Sequence, residues 1–297
     1  MDEREWLAER FEAHRGHLKG VAYRMLGSLA EADDAVQEAW LRLSRADTNG
    51  VENLGGWLTT IVARVCLNML QSRTSRREEP LDAHLPDPIV SAQDGADPEQ
   101  QALLAEGVGL ALLVVLDTLT PAERVSFVLH DMFAVPFDQI APIVGRSPNA
   151  AKMLASRARR RVQGADPAPD ADLARQREVV DAFLAAARDG NFAALLAVLD
   201  PDVVLRADTS AVRAGAPAEV HGAAAVTRRT LAAGGFSRLA RLARPVLVNG
   251  AAGLVFARGG RPFAVVAFMV RRGKIVEIDV FADPARLNQL DLTVPDP

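Results

Sequence analysis

Cysteine is nearly absent: Cys66 stands alone among 297 residues, inside an apolar helical run. A single thiol excludes an internal disulfide framework and suits a reducing compartment. No Cys/His cluster has the spacing of a metal site, so neither metal nor cofactor is expected. No stretch of about 18 apolar residues occurs, which argues against a membrane span. The first residues, MDEREWLAER, are charged and lack the apolar core of a secretory leader. A cytoplasmic protein is expected.

The chain is too long for one ordinary domain and suits two or three. Hydrophobic residues make up 49% of it, enough for folded cores. The net charge of −4 is small, but its distribution is not even. Residues 61–77 hold Arg64, Arg73, Arg76 and Arg77 and no acid. Residues 146–161 hold Arg146, Lys152, Arg157, Arg159, Arg160 and Arg161, again with no acid. Between them, residues 78–99 hold Glu78, Glu79, Asp82, Asp87, Asp94, Asp97 and Glu99 and no base. Two cationic segments joined by an acidic connector suggest two separate phosphate-contacting surfaces.

Apolar periodicity predicts helices over 5–28, 31–45 and 57–72. Residues 77–99, with Pro80, Pro86, Pro88 and Pro98, read as a linker. A helix is expected over roughly 99–118. Thr120, Pro121 and Glu123 then compose an N-cap, a first-turn proline and a capping box for a helix reaching Phe133. Residues 137–144 and 148–162 read as two helices around the turn Gly145-Arg146-Ser147. After a second linker, GADPAPD, come helices over 172–188 and 191–199. Strands are expected at 202–207, 244–248, 252–258, 262–271 and 274–281, with a helix over 222–234. Asn249-Gly250, Gly259-Gly260 and Arg272-Gly273 mark hairpin turns. Helices followed by a meander imply an α+β domain.

The sharpest local signal is FDQIAPIVGRSPNAAKMLASRARRRV, residues 137–162. Two helices around a short Gly-containing turn have the geometry of a DNA-reading helix pair. Ile140, Ile143, Val144, Ala151, Leu154 and Ala158 are spaced for burial. Asn149, Lys152, Ser156, Arg157 and Arg160 are left to face a major groove, where cations meet phosphate or guanine and an amide meets adenine. A packed helical hairpin with a solvated arginine face is the plainer alternative.

AYRMLGS (22–28), ADDAVQEAWLRL (32–43), WLTTIVARVCLNML (57–70), LTPAERVSFVLHDMF (119–133) and the helix pair resemble, in order, regions two and four of extracytoplasmic-function sigma factors. The resemblance covers about residues 8–163. It implies binding to core RNA polymerase and to promoter DNA, with no membrane partner. It implies that Asp34, Gln37 and Glu38 bind the coiled coil of the largest polymerase subunit, and that Arg64, Asn68, Gln71 and Arg73 melt and read the −10 element. A basic groove with polar side chains suits a strand with flipped bases. Trp57 either assists there or is buried. It further implies that Asn149, Lys152, Ser156, Arg157 and Arg160 face the −35 element. The acidic linker resembles the segment that threads polymerase's template and RNA channel; a flexible tether is the other reading.

The C-terminal part resembles a SnoaL-like domain, the cone-shaped fold shared with nuclear transport factor 2 and ketosteroid isomerase. Some sigma factors with this fusion carry Trp-Leu-Pro-Glu-Pro in the linker and Asn-Pro-Asp-Lys-Leu late in the chain. Here the corresponding runs are His84-Leu85-Pro86-Asp87-Pro88 and Ala282-Asp283-Pro284-Ala285-Arg286-Leu287, and Asp208-Thr209-Ser210-Ala211-Val212 stands where a glycine-rich stretch is expected. Asp208, His221 and Asp279 are candidate pocket groups for a small ligand. Glu277 and Asp279 share one face of IVEIDVF, opposite Val276, Ile278 and Val280, and could act as acid and base or form a solvated face. No catalytic set is evident. The expected architecture is multidomain: an all-α sigma region 2 domain (1–76), a linker (77–99), an all-α region 4 helix-turn-helix domain (100–163), a short linker (164–171) and an α+β SnoaL-like cone domain (172–297). The function implied is promoter-specific initiation regulated in cis by the last domain. The runner-up is a one-component regulator with a ligand-sensing C-terminal domain. The anti-sigma partner is not legible.

Overall fold

A computed structural model describes residues 3–45, 53–75, 85–91, 109–165, 170–214, 218–232 and 239–290. The expected features at Arg76, Arg77 and His84, and the acids of the first linker other than Asp87, lie outside these residues. The chain divides into two compact units, and the described linker residues 85–91 cluster with the C-terminal one.

The first unit is helical. α1 (Glu3–Leu26), α2 (Leu29–Leu43) and α3 (Leu54–Ser75) pack pairwise around Leu18, Met25, Val36, Leu58 and Val62. Gly27 takes a left-handed φ of 72° and ends α1; Ser28 then caps α2 by accepting from the Glu31 amide. Residues 109–165 form α4 (Leu110–Asp117), α5 (Pro121–Phe127), a π-turn (Val128–Met132), α6 (Phe137–Val144) and α7 (Pro148–Ala165). The expected capping box exists: Thr120 Oγ1 accepts from the Glu123 amide while the Glu123 carboxylate accepts from the Thr120 amide. The helix expected to run to Phe133 widens into the π-turn after Phe127.

α3 packs against α5 and α6, which buries Cys66 and Arg124. Burial pushes the Cys66 thiol up to about 12, which disfavours the thiolate. Burial also pulls the Arg124 guanidinium below its ordinary value, and Asp117, 2.7 Å away, opposes that.

The second unit has α8 (Leu173–Arg188) and α9 (Phe192–Val198), capped by Asp172 and Asn191. Its strands are β1 (Val90–Ser91), β2 (Leu199–Ala207), β3 (Glu219–His221), β4 (Ala243–Val248), β5 (Ala251–Arg258), β6 (Arg261–Arg271) and β7 (Lys274–Phe281). Short helices α10 (Thr209–Arg213), α11 (Ala223–Ala232) and α12 (Pro284–Leu287) complete it. The strands form one sheet in the order β1-β4-β5-β6-β7-β2-β3. All three expected hairpin turns are present, with positive φ at Asn249, Gly250, Gly259, Gly260, Arg272 and Gly273. Phe183, Leu184, Val203, Leu254, Phe256, Phe268 and Ile278 fill the core between the sheet and the helices.

β3, α10 and α12 lie outside the expected elements, and two further features depart from the expected pattern. Val276 does not share the core face with Ile278. The register steps from Met269↔Glu277 to Val270↔Ile275, so Val276 is the extra residue of a bulge and Ile275 enters the core instead. The first linker also contributes a strand, with Val90↔Val248 and Ser91↔Leu247.

Candidate nucleic-acid interface

On α2, Asp34 and Gln37 are exposed, and Glu38 is ion-paired to Arg42 at 2.8 Å one turn on. Leu41 lies at the i+3 and i+4 position from Glu38 and Gln37 and is 39% exposed. The sequence reading missed it because an apolar residue in an amphipathic helix reads as core. It adds an apolar contact to a polar face, the composition of a protein-binding surface.

On α3, Arg64, Asn68 and Gln71 are exposed and fall at i, i+4 and i+7, so they line one stripe. Trp57 and Ile61 extend that stripe toward the helix start and are half-buried. Arg73 is elsewhere. Its guanidinium is ion-paired to Glu31 and donates to the Leu26 carbonyl, which braces α3 against the α1–α2 turn. Its charge therefore serves packing within the unit.

The helix pair forms as read. Gly145, at φ 63°, ends α6, and Ser147 Oγ accepts from the Ala150 amide to cap α7. Ile140, Ala151, Ala155 and Ala158 are buried. Asn149, Lys152, Arg157 and Arg160 are exposed and Ser156 is half-buried. Two other cations of the same helix are ion-paired within the unit: half-buried Arg159 binds Asp131 at 2.5 Å, and Arg161, itself exposed, lies 3.2 Å from the Glu123 carboxylate. The sequence could not separate structural from free arginines in a run of three.

In the second unit the three candidate pocket groups do not converge. Asp208 is a backbone staple: its carboxylate accepts from the amides of Ala211, Ala282 and Asp283. His221 is 68% exposed, 3.3 Å from Glu219, beside an open depression of about 520 Å³ lined by Leu196, Pro201 and Arg228. Asp279 is buried on the sheet face away from the core. There Arg206 of β2 bridges it, at 3.5 Å, to Glu277 and to Glu219 of β3.

Burial outweighs Arg206 and pushes the Asp279 carboxyl up to about 6. An unfolded Asp titrates near ~3.9. The folded form therefore holds this proton more tightly. The stability it contributes is fully present below about pH 4 and is lost as pH rises through about 6. Asp279→Asn should abolish that dependence while Glu277 keeps Arg206 paired. Relative to the parent, the variant should gain about 2 kcal/mol between pH 4 and pH 7 in urea unfolding. Parallel pH profiles for the two proteins would contradict the raised carboxyl.

Besides the β1–β4 pairing, two side chains hold linker residues on this unit. Asn249 grips Ile89 from both sides, its Oδ1 accepting from the Ile89 amide and its own amide donating to the Ile89 carbonyl. Arg286 donates to the Leu85 carbonyl at 2.8 Å and pairs with Asp87 at 2.9 Å. Leu85, Ile89 and Val90 are buried. Asp87 and Arg286 belong to the two short motifs noted in the sequence, one in the linker and one near the end of the chain.

Residues 10–76 match the Sigma-70 region 2 family and residues 109–162 the Sigma-70 region 4 family. The chain is 40% identical over 289 residues to the ECF RNA polymerase sigma factor SigJ of Mycobacterium tuberculosis, covering 92% of this chain and 91% of that protein. It is an extracytoplasmic-function sigma factor. A second M. tuberculosis relative, the probable ECF sigma factor SigI, is 37% identical over 294 residues and 98% of each chain. The crystal structure of M. tuberculosis SigJ superposes with a TM-score of 0.77 at 35% identity, covering 96% of this sigma factor and 99% of that chain. The helical regions and the α+β domain of this sigma factor thus have counterparts in a solved relative. The protein directs promoter-specific initiation by RNA polymerase, and the one-component alternative is not favoured. No described helix is long and apolar enough to cross a membrane, and the described residues hold no group of three or more metal-binding side chains.

Proposed function

We propose that the three exposed stripes divide the work of initiation. Asp34, Gln37 and Glu38, with Leu41, bind core polymerase in the cytoplasm. Arg64, Asn68 and Gln71 contact the −10 strand. Asn149, Lys152, Ser156, Arg157 and Arg160 contact the −35 duplex. Arg73 supports the second group through α3 and makes no DNA contact. The observation that carries this is that the cations assigned to DNA are exposed and share single helical stripes, while half-buried Arg73 and Arg159 are bound to acids of the same unit. The domain boundaries 1–76, 100–163 and 172–297 follow the same division of labour.

The C-terminal unit acts in cis and has no catalytic role. The grip of Asn249 and Arg286 on residues 85–89 supports regulation, because a linker held there is withdrawn from polymerase. The dispersal of Asp208, His221 and Asp279 supports the lack of catalysis. Run-off transcription with core polymerase, comparing the full chain with residues 1–167, tests the reading. A several-fold change in yield or in core affinity is expected. Identical yield and affinity would remove the regulatory role.

A further inference from the structure

Large apolar side chains are rarely exposed in the described residues: Leu41, Met153 and Phe192 are the three, and Met153 is the most exposed at 54%. Its position is unusual. On α7, Asn149, Lys152, Met153, Ser156, Arg157 and Arg160 follow one another at i, i+3, i+4, i+7, i+8 and i+11, so Met153 stands in the middle of the polar face. Core packing does not explain it, since Ala151, Ala155 and Ala158 bury the opposite side of the helix. Cation solvation does not explain it either, since an apolar group among charges gains nothing from water.

A major groove offers an apolar surface in one chemical form, the C5-methyl group of thymine. Methionine suits that contact: its unbranched chain adapts its path and its thioether is polarisable. We propose that Met153 is a specificity-determining residue that reads a thymine methyl in the −35 element. This rests on the −35 assignment of α7 made above. The neighbouring cations set the helix on the phosphates, and Met153 selects at one or two base pairs.

The test uses holoenzyme, the full chain with core polymerase, on a promoter recovered by run-off transcription. Each thymine of the −35 region is replaced singly by deoxyuridine, which removes the methyl and leaves every hydrogen-bonding group in place. Wild-type binding should weaken about fourfold at one or two positions, the factor for losing one buried methyl. Met153→Ala should weaken binding to the thymine promoter by a similar factor and show no further loss on uracil. Neutral replacement at every thymine in the wild type overturns the proposal, as does a uracil penalty that persists in Met153→Ala. Loss of core affinity in Met153→Ala without DNA would make the residue a polymerase contact and also overturn it. Lys152→Ala/Arg157→Ala on the same promoter separates the two levels. If that variant keeps its affinity and salt dependence, α7 does not reach the −35 duplex and both readings fall. If it loses them while thymine and uracil remain equivalent, only the role of Met153 falls.

Discussion

Lys152→Ala/Arg157→Ala/Arg160→Ala should bind a −35 duplex about a hundredfold more weakly at 0.15 M salt, with the slope of log K against log salt reduced by about 3. Each phosphate neutralised on B-DNA releases about 0.9 of a counterion, so three lost contacts remove both the entropy gain and the salt dependence it carries. The three side chains are exposed on one face of α7, so the substitutions leave the core of the helix pair intact. The control lies on the same helix. Arg159 is bound to Asp131, and Arg159→Ala should leave the slope unchanged while lowering the melting temperature. Fluorescence anisotropy over a salt series distinguishes the two. A single slope shared by parent, triple variant and Arg159→Ala would show that the face of α7 does not meet phosphate.

Arg286→Ala should free the linker from the C-terminal unit. The substitution removes the Arg286 donor from the Leu85 carbonyl and the Arg286 charge from beside buried Asp87. Removing one partner of a buried pair costs about 3 kcal/mol, because the surviving charge remains desolvated. That cost falls on the linker's attachment and not on the main core, which is built from other residues. Amide hydrogen exchange at Ile89, Val90 and Ser91 should therefore accelerate about a hundredfold, while β5, β6 and β7 stay protected. Asp87→Ala/Arg286→Ala should recover part of the loss, since the buried carboxylate is then gone as well. Run-off yield of Arg286→Ala should move in the same direction as that of residues 1–167. Unchanged exchange at Ile89 would show that Asn249 and the β1–β4 pairing hold the linker without Arg286.

Local signals in the sequence carried the helical unit well. Thr120-Pro121-Ala122-Glu123 fixes a helix start through caps that lie within four residues, and Gly145 and Ser147 fix the turn of the helix pair in the same way. What distance in sequence concealed was partnership. Nothing local tells Arg73 from Arg64, yet Glu31, 42 positions earlier, claims one and leaves the other exposed. Asn249 was legible as a turn residue, but its second task, gripping Ile89, joins positions 160 apart. β1 is two residues long and has no alternation to read; it exists because β4 supplies the ladder. Strand alternation placed Glu277 and Asp279 together correctly, but the bulge at Val276 exchanged the residue that meets the core, because alternation assumes an unbroken register. Asp208 looked like pocket chemistry because a buried aspartate satisfied by three backbone amides has the same one-letter signature as a catalytic one.

The strand borrowed from the linker has a cost when it leaves. Along β4, Pro245 already lacks an amide hydrogen, so that stretch offers little to a stray strand. Leu247 and Val248 have no such protection and are covered by Ser91 and Val90. A molecule that surrenders its linker to polymerase uncovers that short ladder of donors and acceptors, and with it a template on which a second molecule could add.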